Sequence, residues 1–351
     1  MCAVWAYNNS RVETDMDAPT SPAAAPEGIA CRTCGGRTIG WGKDAHGNPR
    51  RRCKACRATF GIIPPRPLGS MRIDLDKAVQ CLSMLTEGCS IRSAERLSGI
   101  HRDTIMRLLR KAGAKCEALL NSLVRGVEVK DVQADELWCF VGMKEKTKVR
   151  KGRTDPELGD AYTFIGLERG SKLALAWHLG RRTSEDASRF MAKLSAAAAC
   201  PKGKAGEDLP YQLTTDGFNA YPEAVARHLG GDVDYGMLIK TYSSETVDSE
   251  RRYSPPHIIA TEKIAVSGSP DPAKVCTSHV ERTNLHVRMQ MRRFTRLTNA
   301  FSRKRENLKA ALALHFATYN FTWMHSSIRM TPAMKAGIAR APWTVRDLLV
   351  A

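Results

Sequence analysis

The sequence predicts an α/β protein: a mixed β-sheet flanked by helices, preceded by a small cysteine-rich module and a small helical one. Three observations carry this. Two Cys-x2-Cys pairs stand near the N-terminus; helical periodicity fills residues 73–126; and from Val127 onward short apolar, strand-like blocks are interrupted by helical stretches. A chain of 351 residues has room for two or three domains, at least one with a sizeable core.

The composition narrows the partners. Hydrophobic residues make up 43% and charged residues 26%, which is ordinary for a soluble globular protein. The charge balance is not: Lys+Arg 54 against Asp+Glu 36 leaves +18. Nucleic acid is the polyanion best suited to that excess, because each phosphate contact releases condensed counterions. No apolar run is long enough to span a bilayer, no basic amphipathic anchor helix is evident, and the first residues lack a secretory pattern. An intracellular protein is expected.

The elements follow in order. Residues 1–27 end in an Ala/Pro/Ser stretch with little to bury and read as a disordered tail. Residues 28–62 read as a zinc ribbon: Cys31/Cys34 and Cys53/Cys56, separated by eighteen residues, offer four thiolates to one structural Zn2+ across a hairpin. The other seven cysteines are scattered and form no disulfide framework. His46 lies between the pairs and is expected to face solvent. Arg50, Arg51, Arg52 and Lys54 surround the second pair and are candidate phosphate contacts, a solvated face being the plainer alternative. Residues 63–72, with three prolines, form a stiff linker. Residues 73–126 read as three helices. A short second helix capped by Ser90, a turn at Ser98-Gly99-Ile100 and a basic third helix with Arg102, Arg107, Arg110 and Lys111 make a helix-turn-helix pattern.

Residues 127–351 open with VEVKDVQADELWCFVGM, DAYTFIGLE and KLALAWHLG, the last two joined by a turn at Arg169-Gly170-Ser171. A helix capped by Ser184 follows, then the strand YQLTTD, a helix and the strand YGMLIKTY. Three strands, helix, strand, helix, strand is the order of a ribonuclease-H-like sheet. In that arrangement Asp135, in the first strand, lies beside Asp216, at the end of the fourth. Asp216-Gly217 alone would read as a turn. Two carboxylates side by side are costly unless cations hold them, and oxygen ligands at strand ends suit Mg2+. Glu281 is the candidate third acid, although Ser278-x-x-Glu281 also fits a capping box. Helical spacing places Asn284, Arg288 and Arg292 near the same face as Glu281. Glu245, Asp248, Glu250, Glu262 and Asp271 are rivals for the third position. Glu136 points to the opposite strand face from Asp135. Trp138 and Phe140 are expected in the core.

Three segments, DELWCFVG, TTDGFNAY and HVERTNLHVRMQMRRFTRLTNAFSRK, resemble the catalytic core of DDE transposases of bacterial insertion sequences, closest to the insertion-sequence-one family and its zinc-ribbon relatives. The likeness spans roughly residues 28–325. It implies that Asp135, Asp216 and Glu281 bind two Mg2+ (or Mn2+) ions. It also implies that the ribbon and helix-turn-helix bind inverted-repeat ends in double-stranded DNA, and that target DNA is the second substrate. A homodimer or larger assembly, in the bacterial cytoplasm and nucleoid-associated, is implied as well. Arg288, Arg292, Arg293 and Arg296 would hold phosphates. A regulator that binds DNA without chemistry, or a structure-selective nuclease without strand transfer, are the alternatives.

Overall fold

A computed structural model describes residues 29–45, 47–62, 67–242, 258–296 and 298–351. The expected tail 1–27, His46, residues 63–66 of the linker, and the rival acids Glu245, Asp248 and Glu250 lie outside the described residues. The chain divides into two compact units, Met1–Arg66 and Pro67–Ala351.

The first unit is an antiparallel three-stranded sheet in the order β1 (Thr38–Lys43), β2 (Pro49–Cys53), β3 (Thr59–Gly61). The β1–β2 turn is pinned by Asp44, whose carboxylate accepts from the backbone and side-chain nitrogens of Asn48, both at 2.9 Å. Gly47 supplies the positive φ (79°) that this turn demands.

The second unit begins with α1 (Leu75–Thr86), α2 (Ile91–Ser98) and α3 (Arg102–Leu123). Asp74 and Ser90 cap the first two by accepting backbone N–H bonds, and Gly99, at φ 69°, ends α2 in the left-handed conformation. The tight turn expected at Ser98-Gly99-Ile100 is therefore present in the backbone. At 22 residues, α3 extends well beyond its basic segment. Its apolar stripe (Ile105, Leu108, Leu109, Ala112, Cys116, Leu120) is buried.

After β4 (Val127–Glu128) come β5 (Asp131–Val141), α4 (Glu145–Arg150), β6 (Gly159–Glu168), β7 (Ala174–Gly180), α5 (Ser184–Ala197), β8 (Ala198–Ala199), β9 (Tyr211–Asp216), α6 (Tyr221–His228), β10 (Val233–Tyr242) and β11 (Ile258–Ser267). The six-stranded sheet runs β11-β10-β9-β5-β6-β7. Its first three strands in the chain are antiparallel neighbours, β9 joins β5 in parallel, and β10 joins β9 in parallel. The antiparallel edge strand β11 has no counterpart in the sequence reading; its mostly exposed residues carry no burial alternation that would reveal it. The α5 cap is Thr183, not the expected Ser184: Thr183 Oγ1 accepts from Asp186 N at 3.2 Å.

The C-terminal part contains α7 (Ser278–Gln290), α8 (Arg305–Phe321), α9 (Pro332–Lys335) and α10 (Val345–Val350). Helix α8 is buried on nearly all sides, as its all-round apolar sequence requires. It lies along α3, with Gly113 at the closest approach: a Cβ there would stand 2.5 Å from Ala310 Cα. Helices α1–α3 therefore share one core with α8 and α10, and a boundary at residue 126 cuts through packed surface.

Candidate active site and metal centres

In the first unit the four sulfurs of Cys31, Cys34, Cys53 and Cys56 lie within 4.8 Å of one another. Sγ–Sγ separations of 3.6 Å (Cys31–Cys56) and 3.5 Å (Cys34–Cys53) approach the ~3.8 Å edge of a tetrahedron of ~2.3 Å Zn–S bonds. The backbone N–H of Thr33 donates to Cys31 Sγ at 3.4 Å, and this, with the amide of Cys34, draws the Cys31 thiol down to about 6, toward the thiolate a metal needs. Gly36 leaves room for the cluster, since a Cβ would fall 3.2 Å from Cys53 Sγ. The donor set fits one zinc ion.

The basic residues around it differ in availability. Arg50 and Lys54 are exposed, whereas Arg51 is 9% exposed and its guanidinium turns inward toward the Thr38 carbonyl at 3.5 Å. Arg52 lies over the exposed Trp41 ring at 4.4 Å. In the second unit Arg102, Arg107 and Lys111 of α3 are exposed, while Arg110 is tied to Glu306 at 3.2 Å.

The acidic centre is built on β5 and β9. Parallel pairing matches Ala134 with Thr215, so the next residues, Asp135 and Asp216, become neighbours at the carboxyl ends of their strands' shared register. Asp135, Glu136 and Asp216 bring one carboxylate oxygen each within 4.8 Å of the others. Asp216 Oδ1 also accepts from Phe218 N at 3.2 Å, so the Asp-Gly turn reading holds alongside the site reading. Burial first, then the Asp216 charge, push Asp135 up to about 7 and Glu136 up to about 8.

Gln133 docks α7 onto this strand: its Oε1 accepts from His279 N (2.9 Å) and Val280 N (3.1 Å). Two residues on, and on the same face, Asp135 Oδ2 accepts from Asn284 Nδ2 at 2.7 Å. Glu136 faces the other side, as strand alternation requires, where Arg182 Nε stands 3.4 Å from its Oε2 and Arg182 Nη2 stands 3.6 Å from Asp216 Oδ2. Glu136 nevertheless joins the cluster, because Asp216 at the strand end can be reached from both faces.

Glu281 lies outside the tight group but close enough for its charge to help raise both Asp135 and Asp216. The capping box does not form. Helix α7 is preceded by Thr277, and Glu281 accepts from Thr277 Oγ1 at 2.6 Å and pairs with Lys240 of β10. Of the described rivals, Asp271 pairs with Lys274 at 3.3 Å and its amide meets Gln212 at the far end of β9, and Glu262 is exposed on β11. Arg288 is half-buried on α7, close enough to feel the Asp135 charge. Helix α7 ends at Gln290, so Arg292 leaves the helical face expected for it. Arg293 turns inward, donating to Ser302 Oγ at 2.7 Å and toward Met106 Sδ at 3.6 Å.

Gln133, Arg182 and Lys240 escaped the sequence reading, since a glutamine, an arginine and a lysine in strands or loops carry no motif. The donor chemistry fits a divalent cation: Asn284 Oδ1 is buried without a hydrogen-bond partner, and burial raises all three clustered carboxylates, so ionising them together calls for positive charge between them.

No protein-family pattern and no curated protein matches the chain in sequence. Among solved structures, the chain is similar to a piggyBac transposase synaptic complex with hairpin DNA, at 8% identity and a TM-score of 0.35, over 82% of this chain and 72% of that one. At that level the site's own geometry carries the functional reading. No helix among the described residues is long and apolar enough to cross a membrane.

Proposed function

We propose that the chain is a DDE-type DNA transposase that binds inverted-repeat ends and catalyses metal-dependent cleavage and strand transfer. The observation that carries this is the convergence of Asp135 and Asp216, from adjacent parallel strands, near Glu281 on a helix docked against the same sheet. The strand order and directions support a ribonuclease-H-like reading of that sheet. In this reading Asp135, Asp216 and Glu281 hold two divalent ions, Mg2+ or Mn2+. When bound, these would activate a water or a DNA 3′-hydroxyl and neutralise the departing oxygen during in-line displacement.

The chain's own residues do the positioning. Asn284 fixes the Asp135 carboxylate, and Gln133 sets the height of α7 against β5. Thr277 and Lys240 hold the Glu281 carboxylate in place, Lys240 supplying positive charge beside it. Residues 73–126 with Arg102, Arg107, Arg110 and Lys111, and the ribbon 28–62 with Arg50, Arg51, Arg52 and Lys54, are proposed to bind duplex DNA, with Arg288 and Arg292 nearer the chemistry. Arg51 and Arg110 would have to release their present partners first. Synapsis of two ends calls for a dimer or larger assembly.

The test is a donor plasmid carrying the coding sequence with its native flanks, incubated with purified protein, Mg2+ and a target plasmid. Ends joined to target, lost in Asp135→Asn, are the expected result. Cutting without joining would indicate a nuclease, and binding without cutting a regulator.

A further inference from the structure

Glu136 does not stand alone on its face of β5. Strand alternation puts Trp138 and Phe140 on the same side. Both are only partly buried instead of sitting in the core expected for them, and Tyr162, paired with Trp138 across β6, is partly buried against the core's edge. Trp138 and Phe140 have ring centroids 5.8 Å apart, and Phe301 continues the row 4.8 Å from Phe140. Phe301 is placed there by the segment running beside β5, where Ser302 forms a parallel bridge with Val141.

A row of rings left partly in water is a poor way to stabilise a core, because each leaves apolar area unburied. Its surroundings are cationic. Lys144 Nζ stands 5.6 Å from the Trp138 ring centroid, and at the carboxylate end Arg182 lies 4.6 Å over Phe218. At the other end Phe301 opens on a cavity of about 1260 Å³ whose wall carries Arg92, Arg102, Arg292, Arg303 and Lys304 against Asp103. Asp160, opposite Phe140 on β6, is engaged by the backbone N–H of Glu145 at 2.9 Å.

We propose that Trp138, Phe140 and Phe301 form a stacking surface for unpaired bases of a DNA strand, whose phosphates follow the flanking cations toward the carboxylates. The inference rests on the transposase reading for its substrate and adds to it a single-stranded or splayed segment beside the scission point. Charge complementarity selects the occupant: Arg182 already faces Glu136 and Asp216, but the lysine and arginines beside the rings and along the cavity wall outnumber the acids there, and a strand offers them phosphates and offers each ring a π-face. Ring faces accept any base and need no hydrogen-bond code, so binding is insensitive to sequence, and a closed duplex cannot present its faces at all.

Two measurements test this, using the full chain without added divalent ions. In the first, equilibrium binding is compared for a short oligothymidylate and an abasic oligomer of equal length, which has the same phosphates. The wild type is expected to prefer the base-bearing strand by on the order of tenfold or more. Trp138→Leu, which keeps apolar volume but removes the ring face, should erase most of that preference and leave abasic binding unchanged, whereas Trp138→Phe should retain it. A preference untouched by both Trp138→Leu and Phe301→Leu overturns the proposal. In the second, an oligothymidylate carrying 5-iodouracil is photo-crosslinked and the adducts mapped. Adducts at Trp138 or Phe301 support it, and adducts confined to residues such as Trp41 of the first unit overturn it. Neither measurement involves cleavage, so a protein that stacks bases yet never cuts would refute the transposase reading alone.

Discussion

Glu281→Gln separates a metal ligand from a structural carboxylate, and the structure sets the magnitudes. The glutamate is bound by Thr277 Oγ1 and by Lys240, and its side chain is 46% exposed. A half-exposed ion pair contributes about 0–1 kcal/mol, and glutamine keeps an oxygen for Thr277. In a unit of this size 1 kcal/mol moves the melting temperature by roughly 2–4 °C, so folding should hardly change. Chemistry should change far more. The substitution removes a negative charge from a site meant to hold two dications and leaves Lys240 unpaired beside it. Because the Glu281 charge helps raise Asp135 and Asp216, both should ionise at lower pH in the variant. The expected outcome in a Mg2+-dependent plasmid cleavage assay is a loss of about a hundredfold or more, or roughly 2.7 kcal/mol in the barrier. Stabilisation of the wild type by added Mg2+ should shrink in parallel. Retention of more than about a tenth of the rate, a barrier rise below ~1.4 kcal/mol, would refute the assignment. Attention would then pass to Glu136, whose side chain is 3% exposed and already grouped with Asp135 and Asp216, and Glu136→Gln run alongside would identify it.

Three further outcomes are expected. Freshly purified protein should contain about one zinc per chain, and Cys56→Ser should unfold the ribbon and weaken duplex binding while the second unit's melting transition stays in place; elemental analysis and calorimetry check this. Gly113→Val should destabilise the second unit by ~1–3 kcal/mol or more in urea denaturation, since even its Cβ would stand 2.5 Å from Ala310 Cα in a helix pair that cannot separate cheaply. Burial holds the His286 and His315 imidazoles neutral, lowering them to about 4 and about 3. Their folded-state values lie below the unfolded ~6.5, so stability is full above pH ~6.5 and falls as pH drops toward 4. Each contributes on the order of 1–2 kcal/mol of that loss by pH 5, and His315→Leu should flatten the decline in melting temperature between pH 7 and 5.

Much of the site was legible in the chain because its residues announce themselves locally. Four cysteines in two Cys-x2-Cys pairs carry the spacing of a shared metal in the chain itself, and their sulfurs converge. Ser90 and Gly99 mark the ends of α2 because an N-cap hydroxyl and a left-handed glycine are local requirements. The alternation of β5 put Asp135 and Glu136 on opposite faces from sequence alone, and the order of strands and helices anticipated which strands pair.

Tertiary structure decided what depends on residues distant in sequence. Glu136 enters the acidic group only because Asp216 ends its strand where both faces of β5 are within reach. The Ser278-x-x-Glu281 spacing matched a cap, yet Thr277 and Lys240 claim the carboxylate, since α7 starts one residue earlier than the motif requires and β10 delivers the lysine. Arg51 and Arg293 looked like phosphate contacts and turn inward, because a long side chain's direction is set by what packs around its stem. Trp138 looked like core because it is apolar, and stays partly in water because what packs on its face of β5 is decided by segments far away in the chain. A sequence fixes which face a strand residue points to; what waits on that face is written elsewhere in the chain.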